Sequence, residues 1–281
     1  MIKMPMEITS YNKQGIWCTL VGHITDYNIN AEDQKFEPSV PRMMTNAWSY
    51  TVKPPYNYLS NNDFEDHMIF LRSSVYHVLP EWHARLQRST SLQFSLSLAK
   101  VGRTSFDEFN VMRDCDDGII LATHYVQNVC VSKLTRKPAQ LPDWFTGRYA
   151  THGNHQTPQY MDKLGDTPSK IFQHKIEPSS SDIDENNHIN YTAYIKYIEE
   201  CALTAAENNA YPSFTNDLTR YKIKTMGILH ITEALADDVI TIETWEDENN
   251  RCKVNFVMKK NDKEEICHCS FEYHDIAKAN L

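Results

Sequence analysis

The sequence predicts an α+β fold in which a long helix packs against an antiparallel sheet, and it predicts this arrangement twice. One stretch has apolar residues at helical spacing, while several others alternate between apolar and polar residues as strands do. The two halves also repeat the same order of parts, which favours an ancient duplication. Helices and antiparallel strands that follow one another in this way are typical of α+β domains.

The predicted long helix lies in the second half. Its apolar residues fall at positions i, i+3, i+4, i+7, i+10, i+11 and i+14, and charged residues occupy the opposite face. The apolar set is Tyr191, Tyr194, Ile195, Ile198, Cys201, Ala202 and Ala205. This spacing predicts one buried stripe, and Asn187 and Asn190 are both candidates for the N-cap. In the first half, the segment PRMMTNAW is the helical counterpart.

Alternation of apolar and polar residues identifies the strands. We expect them at residues 92–98, 119–131, 239–245, 252–258 and 267–273. The last two flank the turn-rich segment KKNDKEE. Two alternating runs around a short polar turn predict an antiparallel hairpin.

The repeat places matching segments in the two halves. TDYNIN, from Thr25 to Asn30, resembles SDIDENNH, from Ser181 to His188, and Glu81 in YHVLPEW corresponds to Glu233 in LHITEAL. Residues 135–170 are rich in proline, glycine and polar side chains, as linkers are. We therefore expect an N-terminal domain at 1–134, a linker at 135–170 and a C-terminal domain at 171–281.

Composition excludes several classes of protein. Hydrophobic residues make up 41% and charged residues 23% of the 281 residues, and no apolar run reaches the length of a membrane span. The net charge of −9 disfavours binding to nucleic acid and to anionic membranes. The seven scattered cysteines and the lack of a recognisable targeting peptide favour reduced thiols and a cytoplasmic location.

One basic stretch, LTRYKIKT, leaves two interpretations open. Arg220, Lys222 and Lys224 fit a solvated surface, and they also fit a contact with phosphate. The histidines have no spacing that would support a metal site, and no metal or other cofactor is expected.

The segment Asp182-Ile-Asp-Glu-Asn-Asn-His188 stands directly before the predicted helix. Its side chains and the free N–H groups of the helix N-terminus converge on one place. Such a place can hold a carbonyl group and stabilise the oxyanion that forms when water attacks it, with the imidazole as a general base. An Asx-rich cap loop with a solvated histidine explains the same residues, and both interpretations stand.

The segment from Asp182 to Tyr194 reads Asp-Ile-Asp-Glu-Asn-Asn-His-Ile-Asn-Tyr-Thr-Ala-Tyr. It resembles the motif of the plant and bacterial acyl-ACP thioesterases, which is Asp-x-Asp-x-Asn-x-His-Val-Asn-Asn-x-x-Tyr. It is also similar to the 4-hydroxybenzoyl-CoA thioesterase group. Downstream, Glu233, Asp237 and Val239 resemble the family's Glu-Cys-x-x-Asp-x-Val element. The resemblance covers residues 171–281, and the first half only in outline. It implies two tandem hot-dog domains, each a long helix wrapped by a curved antiparallel sheet.

The resemblance also implies the catalytic residues, which are Asp184, Asn186, His188 and Glu233. Asn186 would polarise the thioester carbonyl, His188 would assist in activating water, and Glu233 would be the direct base, with Asp184 holding the loop or His188. Where the plant enzymes have cysteine after the glutamate, this chain has Ala234. That difference favours direct attack by water.

The first half departs from the motif. Asp26, Asn28 and Asn30 stand where Asp182, Asp184 and Asn186 stand, but Glu32 occupies the position of the histidine. We interpret this half as a decayed site that is retained for packing or for holding the acyl chain.

The function that this resemblance implies is hydrolysis of fatty acyl thioesters carried on phosphopantetheine, in coenzyme A or in acyl-carrier protein. A hot-dog acyltransferase or dehydratase, and a non-catalytic protein that binds acyl thioesters, remain as alternatives. The active form would be a monomer of two hot-dog domains or a homodimer.

Overall fold

The structure is a computed structural model that describes residues 7–11, 17–23, 39–51, 64, 66–85, 91–151, 157–183, 188–215 and 218–274. These residues form two compact units. Among the described residues, the first unit extends to Tyr160 and the second extends from Met161. No helix in the described ranges is long and apolar enough to cross a membrane.

In the part that the structure describes, the first unit contains six antiparallel strands and three helices. Its strands pair in the order β1-β2-β4-β5-β6-β3. The strands are β1 (Glu7–Tyr11), β2 (Trp17–His23), β3 (His67–Val78), β4 (Ser91–Val101), β5 (Ser105–Asp114) and β6 (Ile120–Ser132). The helices are α1 (Ser39–Thr51), α2 (Pro80–Arg85) and α3 (Asp143–Tyr149).

Helix α1 packs against the sheet of this unit through an apolar face. The buried α1 residues include Val40, Pro41, Met43, Met44 and Ala47. On β4, the alternating residues Leu92, Phe94, Leu96 and Leu98 are buried, as the sequence pattern predicted. Burial of such side chains contributes about 1.5–3 kcal/mol each, so this face is a main source of the unit's stability.

Part of the segment expected to be a linker is structured. Helix α3 lies within it, and Phe145 and Tyr149 of that helix are buried. They form a hydrophobic cluster with Phe64, Phe106 and Cys130. The change from one unit to the other falls inside the predicted 135–170 segment, between Tyr160 and Met161.

Among its described residues, the second unit contains five antiparallel strands and one long helix. Its strands pair in the order β8-β11-β10-β9-β7. The elements are β7 (Phe172–Ile176), α4 (Tyr191–Glu207), β8 (Ile223–His230), β9 (Ile240–Glu246), β10 (Lys253–Lys260) and β11 (Glu264–Tyr273). Short 3-10 turns cover Ser180–Asp182 and Leu218–Arg220.

Helix α4 is the helix that the apolar spacing predicted. Of the two candidate caps, Asn190 is the N-cap, and its side-chain oxygen accepts a hydrogen bond from the Thr192 backbone N–H at 2.9 Å. The predicted stripe is buried, from Tyr194 through Ile198 to Ala205, whereas Tyr191 is only half-buried. The helix start is therefore fixed by its cap and its orientation by the stripe.

The predicted hairpin joins β10 and β11. Asn261 and Asp262 form its turn with φ of 54° and 58°, and the Lys263 N–H donates to the Lys260 carbonyl at 3.1 Å. Two consecutive residues with positive φ define the type I′ turn, whose twist suits a two-residue hairpin.

Both faces of this second sheet are buried, although the alternation in sequence suggests one solvated face. On the face away from α4, His268 is 1% exposed and Asn255 is 3% exposed. The chain at Met161–Leu164 covers part of this face, since the Leu164 N–H donates to His268 Nδ1 at 3.0 Å. A Cβ atom on Gly227 would lie 2.7 Å from the Met161 sulfur, so glycine permits this close approach.

Helices packed on antiparallel sheets in both units confirm the predicted α+β class. The predicted strands correspond to β4, β6, β9, β10 and β11. The sequence analysis did not identify β1, β2, β3, β5, β7 or β8.

Candidate active site

The predicted catalytic loop stands between the Ser180–Asp182 turn and α4. Asp184 and Asn186 fall at positions 184–187, which lie outside the described residues, so their positions stay predictions. The structure describes both flanks. Ile183 and Ile189 form an antiparallel bridge, and the Asn190 N–H donates to the Asp182 carbonyl at 2.8 Å. The two ends of the loop are therefore held together.

Asp182 anchors the first end of the loop. Its Oδ2 accepts hydrogen bonds from Ser179 Oγ at 2.7 Å and from the Tyr197 hydroxyl at 2.8 Å. Lys196 Nζ lies 3.1 Å from Oδ1. Burial acts to raise the pKa of this carboxyl, but the hydrogen bonds from Ser179, Tyr197 and Lys196 outweigh it and lower the pKa to about 2. The carboxylate therefore fastens the loop to the first turns of α4.

A second segment, Glu233–Leu235, runs beside the other end of the loop. His188 forms an antiparallel bridge with Leu235, and the Ile189 N–H donates to the Ala234 carbonyl at 2.9 Å. The Ala234 backbone also donates to the hydroxyl of Tyr194, whose pKa is raised by burial. These backbone contacts hold His188 and Glu233 side by side.

His188 and Glu233 are the two predicted catalytic side chains that the structure describes, and they lie together. His188 Nε2 is 3.5 Å from Glu233 Oε2, and the two side chains are 13% and 29% exposed. This distance is long for a direct hydrogen bond and short enough for charge interaction or a bridging water. An imidazole and a carboxylate that both reach solvent can activate a water molecule.

Lysine 260 is a neighbour that the sequence did not single out. Its Nζ donates to the Glu233 carbonyl oxygen at 3.0 Å and lies 3.3 Å from Glu264 Oε2. Lys260 is at the end of β10, paired with Ile240. The hairpin thus brings a positive charge to the backbone of Glu233, the predicted catalytic glutamate, which sequence spacing alone could not reveal.

Asp237 matches the aspartate of the family's Glu-Cys-x-x-Asp-x-Val element, and the next residue, Asp238, stabilises the turn that follows Glu233. Asp237 is exposed. The adjacent Asp238 accepts from the Leu235 N–H at 2.8 Å and from Asn261 Nδ2 at 2.7 Å. Asp238 therefore stabilises the turn that follows Glu233.

The corresponding region of the first half is described only in part. Asp26, Asn28, Asn30 and Glu32 lie outside the described residues. Glu81 is exposed and lies in the first turn of α2, rather than in an extended segment like that of Glu233.

Cys201, the cysteine on the predicted helix, is a core residue. Cys201 is fully buried on α4, and burial raises the pKa of its thiol, as core packing requires. Ala234 is also buried. Among the residues that the structure describes, no group of three histidine, cysteine, aspartate or glutamate side chains is placed to hold a metal ion.

Comparison with known proteins agrees with this geometry. Residues 165–275 match the acyl-ACP thioesterase C-terminal domain family. A segment of 136 residues is 25% identical to palmitoyl-acyl carrier protein thioesterase, chloroplastic, of Arabidopsis thaliana, and the match covers 46% of this chain and 30% of that protein. The matched segment thus spans less than a third of the plant relative's length.

Solved structures show the same fold over nearly the whole chain. An acyl-ACP thioesterase from Bacteroides thetaiotaomicron has a TM-score of 0.65 at 16% identity, covering 97% of this chain and 98% of that one. The 12:0-ACP thioesterase from Umbellularia californica has a TM-score of 0.61 at 15% identity, covering 96% of each chain.

These matches confirm both the resemblance seen in the Asp182–His188 motif and the expected hot-dog fold. Residues 165–275 thus resemble the acyl-ACP thioesterase C-terminal domain family, and the chain has the two-hot-dog fold seen in solved acyl-ACP thioesterases.

Proposed function

We propose that this protein hydrolyses fatty acyl thioesters to free fatty acids and thiols. The observation that carries the proposal is the His188–Glu233 pair, 3.5 Å apart, held between two clamped backbone segments. The match of residues 165–275 to a thioesterase domain family supports the same activity.

In the proposed reaction, a water oxygen attacks the thioester carbonyl carbon while Glu233 takes a proton from that water. His188 orients the water and stabilises the charge that develops. The negative charge passes to the carbonyl oxygen, where the amide of Asn186 stabilises the oxyanion and Asp184 holds the loop. When the intermediate collapses, the carbon–sulfur bond breaks and the thiolate takes the proton back. No metal or organic cofactor takes part in these steps.

The substrate's carrier would be phosphopantetheine, either in coenzyme A or on acyl-carrier protein. The exposed side chains of Arg220, Lys222 and Lys224 suit the acidic surface or phosphates of such a carrier. The thiols of Cys130, Cys201, Cys267 and Cys269 are free and buried, which fits a reducing compartment, and we place the protein in the cytoplasm.

We assign the two domains different roles. The second unit would carry catalysis, and the first would hold the acyl chain. In the first unit the alternating residues Leu92, Phe94 and Leu96 present an apolar face to α1. Bulkier residues at these three positions should therefore change the preferred acyl length.

A panel of acyl-coenzyme A and acyl-carrier substrates, with detection of the released thiol, tests the activity. Hydrolysis should occur, and His188→Ala should lower the turnover rate by at least ~100-fold, the usual effect of losing a general base. His174→Ala is the matched control, because His174 also pairs with a glutamate, Glu200, at 3.3 Å. No thiol release from any substrate, or equal loss in both variants, would contradict the proposal.

A further inference from the structure

Four polar side chains are buried on the face of the first unit's sheet that packs against α1. Glu108, Asn110, His124 and Asn128, which we call the inner polar cluster, are exposed by 3%, 1%, 6% and 4%. Glu108 and Asn110 alternate on β5 with outward residues, and His124 and Asn128 do so on β6. Asn110 and His124 are direct cross-strand partners. The strand pairing therefore places Asn110 and His124 side by side, with Glu108 two residues away on β5 and Asn128 four residues away on β6.

Some atoms of the cluster have clear hydrogen-bond partners. Trp48 Nε1, on α1, donates to Glu108 Oε1 at 3.2 Å. His124 Nε2 lies 3.3 Å from Ser74 Oγ, and the His124 ring stacks on Tyr76 with centroids 3.8 Å apart. These contacts hold the cluster rigidly beneath α1.

Other atoms of the cluster have none within the described part of the chain. They are Asn110 Oδ1, His124 Nδ1 and Asn128 Nδ2. Buried polar atoms in native proteins nearly always have partners, because leaving them without one costs free energy. Asn110 Oδ1 is an acceptor, and His124 Nδ1, on the residue directly opposite, serves as donor or acceptor. One group that both donates and accepts would satisfy these two atoms.

The charge state of the cluster favours a neutral partner. Burial lowers the pKa of His124 to about 3, so its imidazole is uncharged at neutral pH. Burial also raises the pKa of Glu108 to about 7, against the opposing effect of the bonds from Trp48 and Asn110. The site disfavours ionisation of its own side chains, so it would also disfavour a charged group on a ligand.

We propose that the inner polar cluster binds a hydroxyl group on an acyl chain, so that this protein favours hydroxylated acyl groups over unsubstituted ones. A hydroxyl both donates and accepts, whereas a keto oxygen only accepts. The proposal rests on the proposed function, in which the first unit holds the acyl chain. Leu96 and Phe106, on the same face, supply the apolar contact that the rest of such a chain needs.

Direct binding to the full protein tests this inference without requiring turnover. Calorimetric titration would compare hydroxy fatty acids that differ in hydroxyl position with the unsubstituted acid of equal length. The best hydroxy acid should bind at least ~10-fold more tightly, the typical effect of satisfying one or two buried groups. His124→Phe keeps the ring that stacks on Tyr76, and Asn110→Leu keeps the side-chain shape. Each should remove most of that preference.

Thr123→Val is the control, since Thr123 neighbours His124 on β6 but points to the other face. It should leave the ratio of affinities unchanged. If every hydroxy acid binds no more tightly than the unsubstituted acid, buried water satisfies the cluster and the inference is wrong. That comparison uses the unaltered protein, so it decides the matter even if a variant fails to fold. Hydrolysis of unsubstituted thioesters with no hydroxy preference would overturn the inference and leave the proposed function standing.

Discussion

The two units share a fold but place their polar groups differently. In the second unit, His188 and Glu233 lie where the chain enters α4, and the sheet face that this helix covers is built mainly from apolar residues such as Ile242, Phe256 and Phe271. In the first unit, Glu108 and the rest of the inner polar cluster lie on the sheet beneath the helix.

The difference shows that one architecture offers two separate places for chemistry. The helix entry gives partly exposed side chains access to water, which hydrolysis requires. The sheet interior offers buried polar groups that can bind a ligand but have little access to water. Duplication of the fold would thus have allowed one copy to keep catalysis and the other to specialise in binding.

The largest expected effect is the difference between substituting Glu233 and substituting Glu81, the two glutamates that the repeat aligns. Glu233→Gln keeps the side-chain shape but removes its basicity, so the turnover rate should fall at least ~100-fold with little change in acyl binding. Glu81→Gln makes the same change on the exposed surface of α2, and turnover should stay within a few-fold of the parent. Steady-state kinetics on both folded variants measures this contrast, and equal loss would place the active site elsewhere.

A second prediction concerns the buried carboxyl of the first unit. The pKa of Glu108 is raised from 4.5 to about 7, so the folded state holds its proton over a range in which the unfolded state has lost it. Stability should therefore fall as pH rises from about 4.5 to about 7 and then level off. Glu108→Gln removes this dependence and should stabilise the protein by about 2–3 kcal/mol above pH 7. Urea unfolding at pH 5 and pH 8 gives both values, and an unchanged pH dependence in the variant would exclude a buried proton on Glu108.

The loop anchor of the second unit should have a smaller effect. Asp182→Asn removes the charge that Tyr197, Ser179 and Lys196 bind, and this should cost about 1–2 kcal/mol of unfolding free energy. Because the pKa of Asp182 is lowered from 3.8 to about 2, its contribution is present above pH 3.8 and is lost as pH falls towards 2. Turnover should also fall about 10-fold, since a loosened loop misplaces His188. Denaturation curves at pH 3 and pH 7, together with the turnover rate, test this prediction. Lys175→Ala, on an exposed ion pair with Asp262, is the control.

The smallest expected effect is that of thiol modification. Cys201 is buried, and burial raises the pKa of its thiol, so iodoacetamide should leave the activity of the native protein nearly intact. Labelled peptides identified by mass spectrometry should include the exposed Cys115. Rapid inactivation with label on Cys201 would instead indicate a covalent mechanism.

Sequence reasoning succeeded where a local pattern decides structure. The apolar stripe of α4, the hairpin around Asn261 and the cap at Asn190 each depend on residues close together in the chain. The pairing of His188 with Glu233 was implied by the family motif, and the structure shows the backbone bridge that creates it.

The features that sequence reasoning missed depend on distant contacts. Lys260 reaches the Glu233 carbonyl only because of the register of β10. The burial of His124 follows from strand pairing with β3 and β5. Polar residues at the inward positions of β5 and β6 were a visible signal, since they break the apolar side of the alternation, but the pattern alone does not tell which face turns inward.

The chain at Met161–Leu164 lies against His268 and Gly227 on the second sheet. A protein fragment that begins at residue 171, the boundary that composition suggests, would lack Met161–Leu164. It would therefore expose a sheet face that is buried in the full chain. Such a fragment should aggregate on expression. A fragment that contains the second unit alone should therefore begin before Met161.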